Sequence, residues 1–248
     1  MRQQIDRGRF LLLLGVGGVL GCTGPDDKGG NTPFVHSDSG DGTSVDSGDS
    51  DTAIGDTGIE PCEPPDYGEP GDPFADLVVD YVPGGGAGFG QDDYPDIVLG
   101  PPLGGGANSG SLDVLSLGEG GEIVLEFTDR QLYDGEGIDL LVFENPFSDW
   151  VEPASVAAST DGIVWNEWNC DLEDSDYIGC AGVNPVLSHP DNCINATDPS
   201  VAGGDGFDLA DIGMEMARFV RIRDLEVTGP GGFDLDAVGV VHGIALER

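Results

Sequence analysis

From Pro73 onward, apolar and polar residues alternate in short runs separated by glycine-rich turns. This is the two-residue period of half-buried strands. The pattern predicts strands over 76–82, 111–117, 122–127, 138–144, 154–159, 163–168, 218–227 and 237–246. Segments 111–117 and 122–127 read as a hairpin across Gly118-Glu-Gly-Gly121, and Asp161-Gly162 reads as a second hairpin turn. No run carries the longer period of an amphipathic helix. The prediction is therefore an all-β domain over residues 73–248, a single antiparallel β-sandwich of about eight strands.

Upstream the pattern breaks down. Arg2, Arg7 and Arg9 precede the apolar run 10–20, which ends at Gly21-Cys22. This reads as a secretory signal over 1–21, too short to span a bilayer stably. Val19-Leu20-Gly21-Cys22 resembles the bacterial lipobox, which implies that Cys22 is lipidated and becomes the mature N-terminus. The residue after it is Thr23 rather than Asp, which favours the outer membrane or cell surface. Residues 22–72 are rich in Asp, Ser and Gly, with almost nothing to bury, and are expected to form a disordered acidic tether.

Charge narrows the partners. The 248 residues carry 47 acids against 9 Lys and Arg, a formal net charge of −38. That excludes nucleic acid, whose phosphates need a basic surface, and makes divalent cations natural partners. Apart from Cys22 there are four cysteines, an even number in an exported chain, and they allow three disulfide connectivities. Cys170 and Cys180 bracket a short acidic loop and are the favoured pair, which leaves Cys62 with Cys193.

The sharpest chemical signal is a doubled triplet. Gly203-Gly204 leads to Phe207-Asp208-Leu209, and Gly231-Gly232 leads to Phe233-Asp234-Leu235. Asp205, Asp208 and Asp211 fall three apart in one loop, Asp234 and Asp236 two apart in the other, and Glu144 ends an apolar strand. Calcium takes six to eight hard oxygens, so these six acids are its candidate ligands. The plainer alternative is that Asp208 and Asp234 cap turns through their own side chains. Trp150 follows a polar loop and is the candidate for stacking on a sugar. His36, His189 and His242 lie in no catalytic motif, and no zinc, Walker or nucleophile-elbow pattern is present.

Ser159-Thr-Asp161-Gly162-Ile-Val-Trp165 and Ala217-Arg218-Phe219-Val220-Arg221-Ile222 resemble strands of discoidin domains, members of the galactose-binding-like superfamily. The wider pattern over 74–246 resembles bacterial cell-surface proteins and lipoproteins. The resemblance implies a jelly-roll or galactose-binding-like sandwich at the cell surface. The expected function is a lipid-anchored, calcium-stabilised module that binds a glycan or a surface or matrix protein without catalysis. A structural or adhesion protein of the envelope is the alternative, and a hydrolase the more remote one.

Overall fold

The structure, a computed structural model, describes residues 62–63, 65–67, 71–145, 151–226 and 232–246. The chain divides into two units, Met1–Asp56 and Thr57–Arg248, and all described residues belong to the second. The expected signal segment 1–21, Cys22, most of the tether and Trp150 lie outside the described residues.

The described part is all-β. Its strands are β1 (Leu77–Val82), β2 (Leu115–Ser116), β3 (Glu122–Glu126), β4 (Arg130–Tyr133), β5 (Leu140–Glu144) and β6 (Ala154–Ser159). They continue with β7 (Asn166–Glu167), β8 (Asp205–Phe207), β9 (Met216–Ala217), β10 (Phe219–Asp224), β11 (Asp234–Val240) and β12 (Gly243–Ala245). Four short 3-10 turns interrupt them. Among the described residues there is no α-helix, and no helix is long and apolar enough to cross a membrane.

Three antiparallel sheets result, ordered β1-β3-β10-β6-β7, β2-β11-β5-β8 and β12-β4-β9. Strand β10 shows why alternation predicts the first of these. Val220 and Ile222 are fully buried, while Arg221 and Arg223 leave by the other face and pair with Glu122 and Glu167. Arg218 pairs with Glu126 at 2.7 Å. The arginines thus meet acids of neighbouring strands. The main core takes Ile123, Leu125, Val156, Val220 and Ile222 from the first sheet and Leu140, Val142, Leu235 and Val238 from the second. A second core, with Phe74, Leu141, Phe143, Val186, Ala202 and Ala237, is packed by Tyr67, Ile138 and Val241.

Both expected disulfides form, Cys62–Cys193 and Cys170–Cys180. The folded chain also reaches upstream of Pro73. Tyr67 packs edge-on against Phe74 with ring centroids 5.3 Å apart, and its hydroxyl accepts from the Ala196 amide. Arg130 donates to the carbonyls of Tyr67, Gly71 and Asp72.

The expected hairpin between 111–117 and 122–127 does not form. The Leu117 amide donates to the Phe233 carbonyl, β2 pairs with β11, and β3 pairs with β1 and β10 in another sheet. The chain crosses between sheets where a turn was expected. The second hairpin does form, β6 with β7, but its returning arm is only Asn166–Glu167. Asp161 holds the wider loop by accepting from the amides of Ile163 and Val164. Trp165 is half-buried beneath the Arg221 guanidinium, 4.8 Å from its ring centroid. Among the described residues the buried tryptophan is Trp168, whose indole donates to the Asp208 carbonyl.

Candidate functional site

An open groove of about 510 Å³ runs beside the second core, lined by Ile138, Leu141, Asn184, Pro185, Leu187, Pro199, Ser200, Val201, Gly203, Gly204 and Gly206. Its position follows from the chain's covalent and polar bracing. Cys193 lies in the loop between 184 and 203 and is tied to Cys62. Below it, the buried Asp205 carboxylate accepts from the amides of Gly182, Val183 and Asn184 and from the Asn184 side chain, at 2.7 to 3.2 Å. Burial pushes Asp205 up to about 6, and these bonds pull the other way. Asn184 is thereby fixed in the groove wall.

The six acids expected to bind calcium are distributed over several places. Asp205 is occupied by the loop just described. Asp208 caps a 3-10 turn, Leu209–Ile212, by accepting from Ala210, and Asp211 lies exposed on that turn. Asp208 also meets Asp134 and Asp139, with one oxygen of each within 4.8 Å of the others; among the described residues this is the one such group. The fully buried Asp139 accepts from the amides of Gly135 and Leu209, and its Oδ1 lies 2.8 Å from His242 Nδ1. Neither Asp134 nor Asp139 carried a signal in the sequence, because 103 residues separate Asp139 from His242.

Asp236 sits at a bulge in β11, where both oxygens accept from the Leu103 amide. Burial, with the charge of Asp113 adding to it, pushes Asp236 up to about 7. Asp113 opens onto a hollow of about 430 Å³ shared with Asp92, Asp93, Tyr94, Asp96 and Ile97. Burial raises Asp113 first and the charge of Asp93 second.

Glu144 and Asp234 do come together. The Asp234 amide donates to Glu144 Oε1 at 3.4 Å, and the Asp234 carboxylate accepts from Ser116. Glu144 is 1% exposed, and its Oε2 has no hydrogen-bond partner. Burial foremost, then the charges of Glu152 and Asp234, hold Glu144 well above the usual carboxylate range. Glu152, 6% exposed, was missed from sequence because it sits between Val151 and Pro153 with no motif around it.

Comparison with known protein families finds no match for this chain, and no curated protein matches it.

Proposed function

We propose that the chain is a lipid-anchored, non-catalytic binding module of a bacterial cell surface, held at the outer membrane through Cys22. In this reading its two larger sheets form a galactose-binding-like β-sandwich, calcium stabilises it, and the groove takes a glycan or another extracellular ligand. The groove is the observation that carries the reading. It combines apolar walls (Ile138, Leu141, Pro185) with a few polar groups (Asn184, Ser200), the make-up of a recognition site for a small or extended ligand. Two disulfides support an oxidising compartment. A hydrolase draws support only from the His242–Asp139 pair. There the imidazole packs against Tyr133 and Gly135, and triad chemistry needs a nucleophile as well.

The test uses the full chain with Cys22→Ser, screened against envelope and matrix polysaccharides. Val201 is 46% exposed on the groove lining, so Val201→Arg alters the groove without opening the core. The expected result is binding to at least one polysaccharide, weakened about tenfold or more in Val201→Arg at an unchanged melting temperature. Absence of binding to every polysaccharide would leave a structural envelope role. Release of new reducing ends, lost in His242→Ala, would replace the reading with a hydrolase.

A further inference from the structure

We propose that the groove continues across the edge of β8 into a second hollow under the Cys170–Cys180 loop, and that the two together bind a linear, uncharged polysaccharide. The proposal rests on the binding-module reading above and deepens it by naming the ligand class and a second subsite. The second hollow has a volume of about 160 Å³, and its walls include Asp176, Tyr177, Ile178 and Cys180. It shares Asn184 and Gly206 with the groove, so the two meet at those residues.

The sheet edge leaves the way open there. Strand β8 is the last of its sheet. Its approach is covered at Gly203 and Gly204, where Val186 bridges Gly203 and the Gly204 amide donates to the Pro185 carbonyl. Two residues further on, Gly206 is exposed, and an exposed glycine presents backbone alone. A Cβ at Gly206 would stand 3.0 Å from the Ile138 side chain, so the missing side chain keeps the passage clear. Asn184 beside it cannot swing across, because its side-chain nitrogen donates to Asp205 at 2.8 Å. That bond leaves the Asn184 side-chain oxygen as an acceptor for a ligand hydroxyl.

The linings say what kind of polymer fits. Among the described residues no Lys, Arg or His lines either hollow, and the whole chain carries −38, so nothing there offsets a uronate or phosphate group. Exposed aliphatic side chains mark the path, Leu187 and Val201 in the groove and Ile178 in the second hollow. Asn184, Ser200 and Asp176 place polar groups between them, which suits the hydroxyls of a sugar chain. Tyr177 supplies the aromatic face that the groove lining lacks. Its φ of 49° is left-handed backbone, uncommon for a residue with a side chain. The loop imposes it: the Tyr177 amide donates to the Asp174 carbonyl, its carbonyl accepts from the Cys180 amide, and the disulfide closes the segment. Strain held in this way fixes the ring at the hollow.

Calorimetry on the full chain carrying Cys22→Ser tests the extended site. The probes are neutral linear glucan fragments (of cellulose, curdlan and amylose), from disaccharide to octasaccharide, and alginate fragments of the same lengths. The expected result is that at least one neutral series binds, with affinity rising about tenfold or more from its short to its long members, and that alginate does not bind. Asn tolerates the left-handed backbone, so Tyr177→Asn removes the ring without new strain. Ile178→Arg, at an exposed position, blocks the second hollow without opening the core. Each variant abolishes the gain with length and leaves the short members' affinity and the melting temperature unchanged, whereas Val201→Arg weakens every length. Affinity that does not rise with length overturns the proposal, as does a gain that survives both variants or a preference for alginate. In those cases short fragments that bind the parent and not Val201→Arg still uphold the groove. If no neutral series binds, the proposal falls, and the wider polysaccharide screen decides the binding-module reading by itself.

Discussion

Phe207-Asp208-Leu209 and Phe233-Asp234-Leu235 are the same three residues in the same order, each following a glycine pair, yet they do different work. Both phenylalanines and both leucines are buried in the main core. The aspartates part company. Asp208 faces a turn it caps itself, and its backbone carbonyl takes the Trp168 indole. Asp234 opens β11 opposite Ser116, with its amide aimed at an unsatisfied glutamate. The apolar members of the triplet are placed by the alternation of the chain around them. The acid is placed by whatever the rest of the fold brings to that point. In one loop that is the Ala210 amide, with Asp134 and Asp139 close by, and in the other the Ser116 hydroxyl and the buried Glu144.

The largest expected effect tests the shared half of the comparison. Phe207→Ala and Phe233→Ala each remove a buried ring and leave a cavity, which costs about 3–5 kcal/mol. Phe207 also packs against Trp168 with ring centroids 5.1 Å apart. Urea unfolding should therefore show losses of similar size. If Phe233→Ala costs under about 1 kcal/mol while Phe207→Ala costs the full amount, the two loops are not equivalent anchors and the parallel fails.

The same division explains what the sequence made legible. Segment 218–227 contains β10, whose alternating burial leaves a readable two-residue period, whereas β1 within 76–82 has no buried face and its register shifts at a bulge between Val78 and Asp80. Strands of two or three residues, such as β7, β8 and β9, are too short to show a period. Pairing was harder still. The spacing of 111–127 satisfies a hairpin, but the Leu117 amide finds Phe233, 116 positions further along the chain, and local spacing carries no trace of that bond. The Cys170–Cys180 link was legible because ten residues separate the two, and Cys62–Cys193 followed by elimination across 131. Among 47 acids, Asp205, Asp208 and Asp236 could not be told from ligands, since the amides that occupy them come from Gly182, Ala210 and Leu103.

Acidity separates the loops next. Beyond Asp234, Asp236 is pushed from 3.8 up to about 7 by burial. The folded state thus binds the proton more tightly than the unfolded chain does. The resulting stability is present in full below about pH 4 and is lost as pH rises through about 7. Asp236→Asn stays neutral while keeping an oxygen for the Leu103 amide. Wild type and variant should therefore match near pH 4, separate progressively as pH rises from there, and differ fully above pH 7, with the variant more stable by up to about 4 kcal/mol. Denaturant midpoints across that range measure it. Parallel pH profiles for the two proteins would mean that Asp236 does not carry the dependence.

The smallest effect is the one that isolates the two aspartates. Asp208→Ala removes the acceptor for the Ala210 amide at the start of the 3-10 turn, and losing a cap of this kind costs about 1 kcal/mol. Asn caps nearly as well, so Asp208→Asn should recover most of the loss. Asp234→Asn works in the opposite direction in chelator. It removes a negative charge that acts on the buried Glu144 and keeps an oxygen for Ser116, so the protein should become slightly more stable, by about 0.5 kcal/mol or more. If calcium stabilises the fold as proposed, with Asp234 among its ligands, millimolar calcium should reverse the sign. Chemical unfolding of Asp208→Asn and Asp234→Asn, each in chelator and in calcium, gives the four values needed. A calcium-independent, destabilising Asp234→Asn would make the second aspartate a turn cap like the first, and the two triplets would then differ only in position.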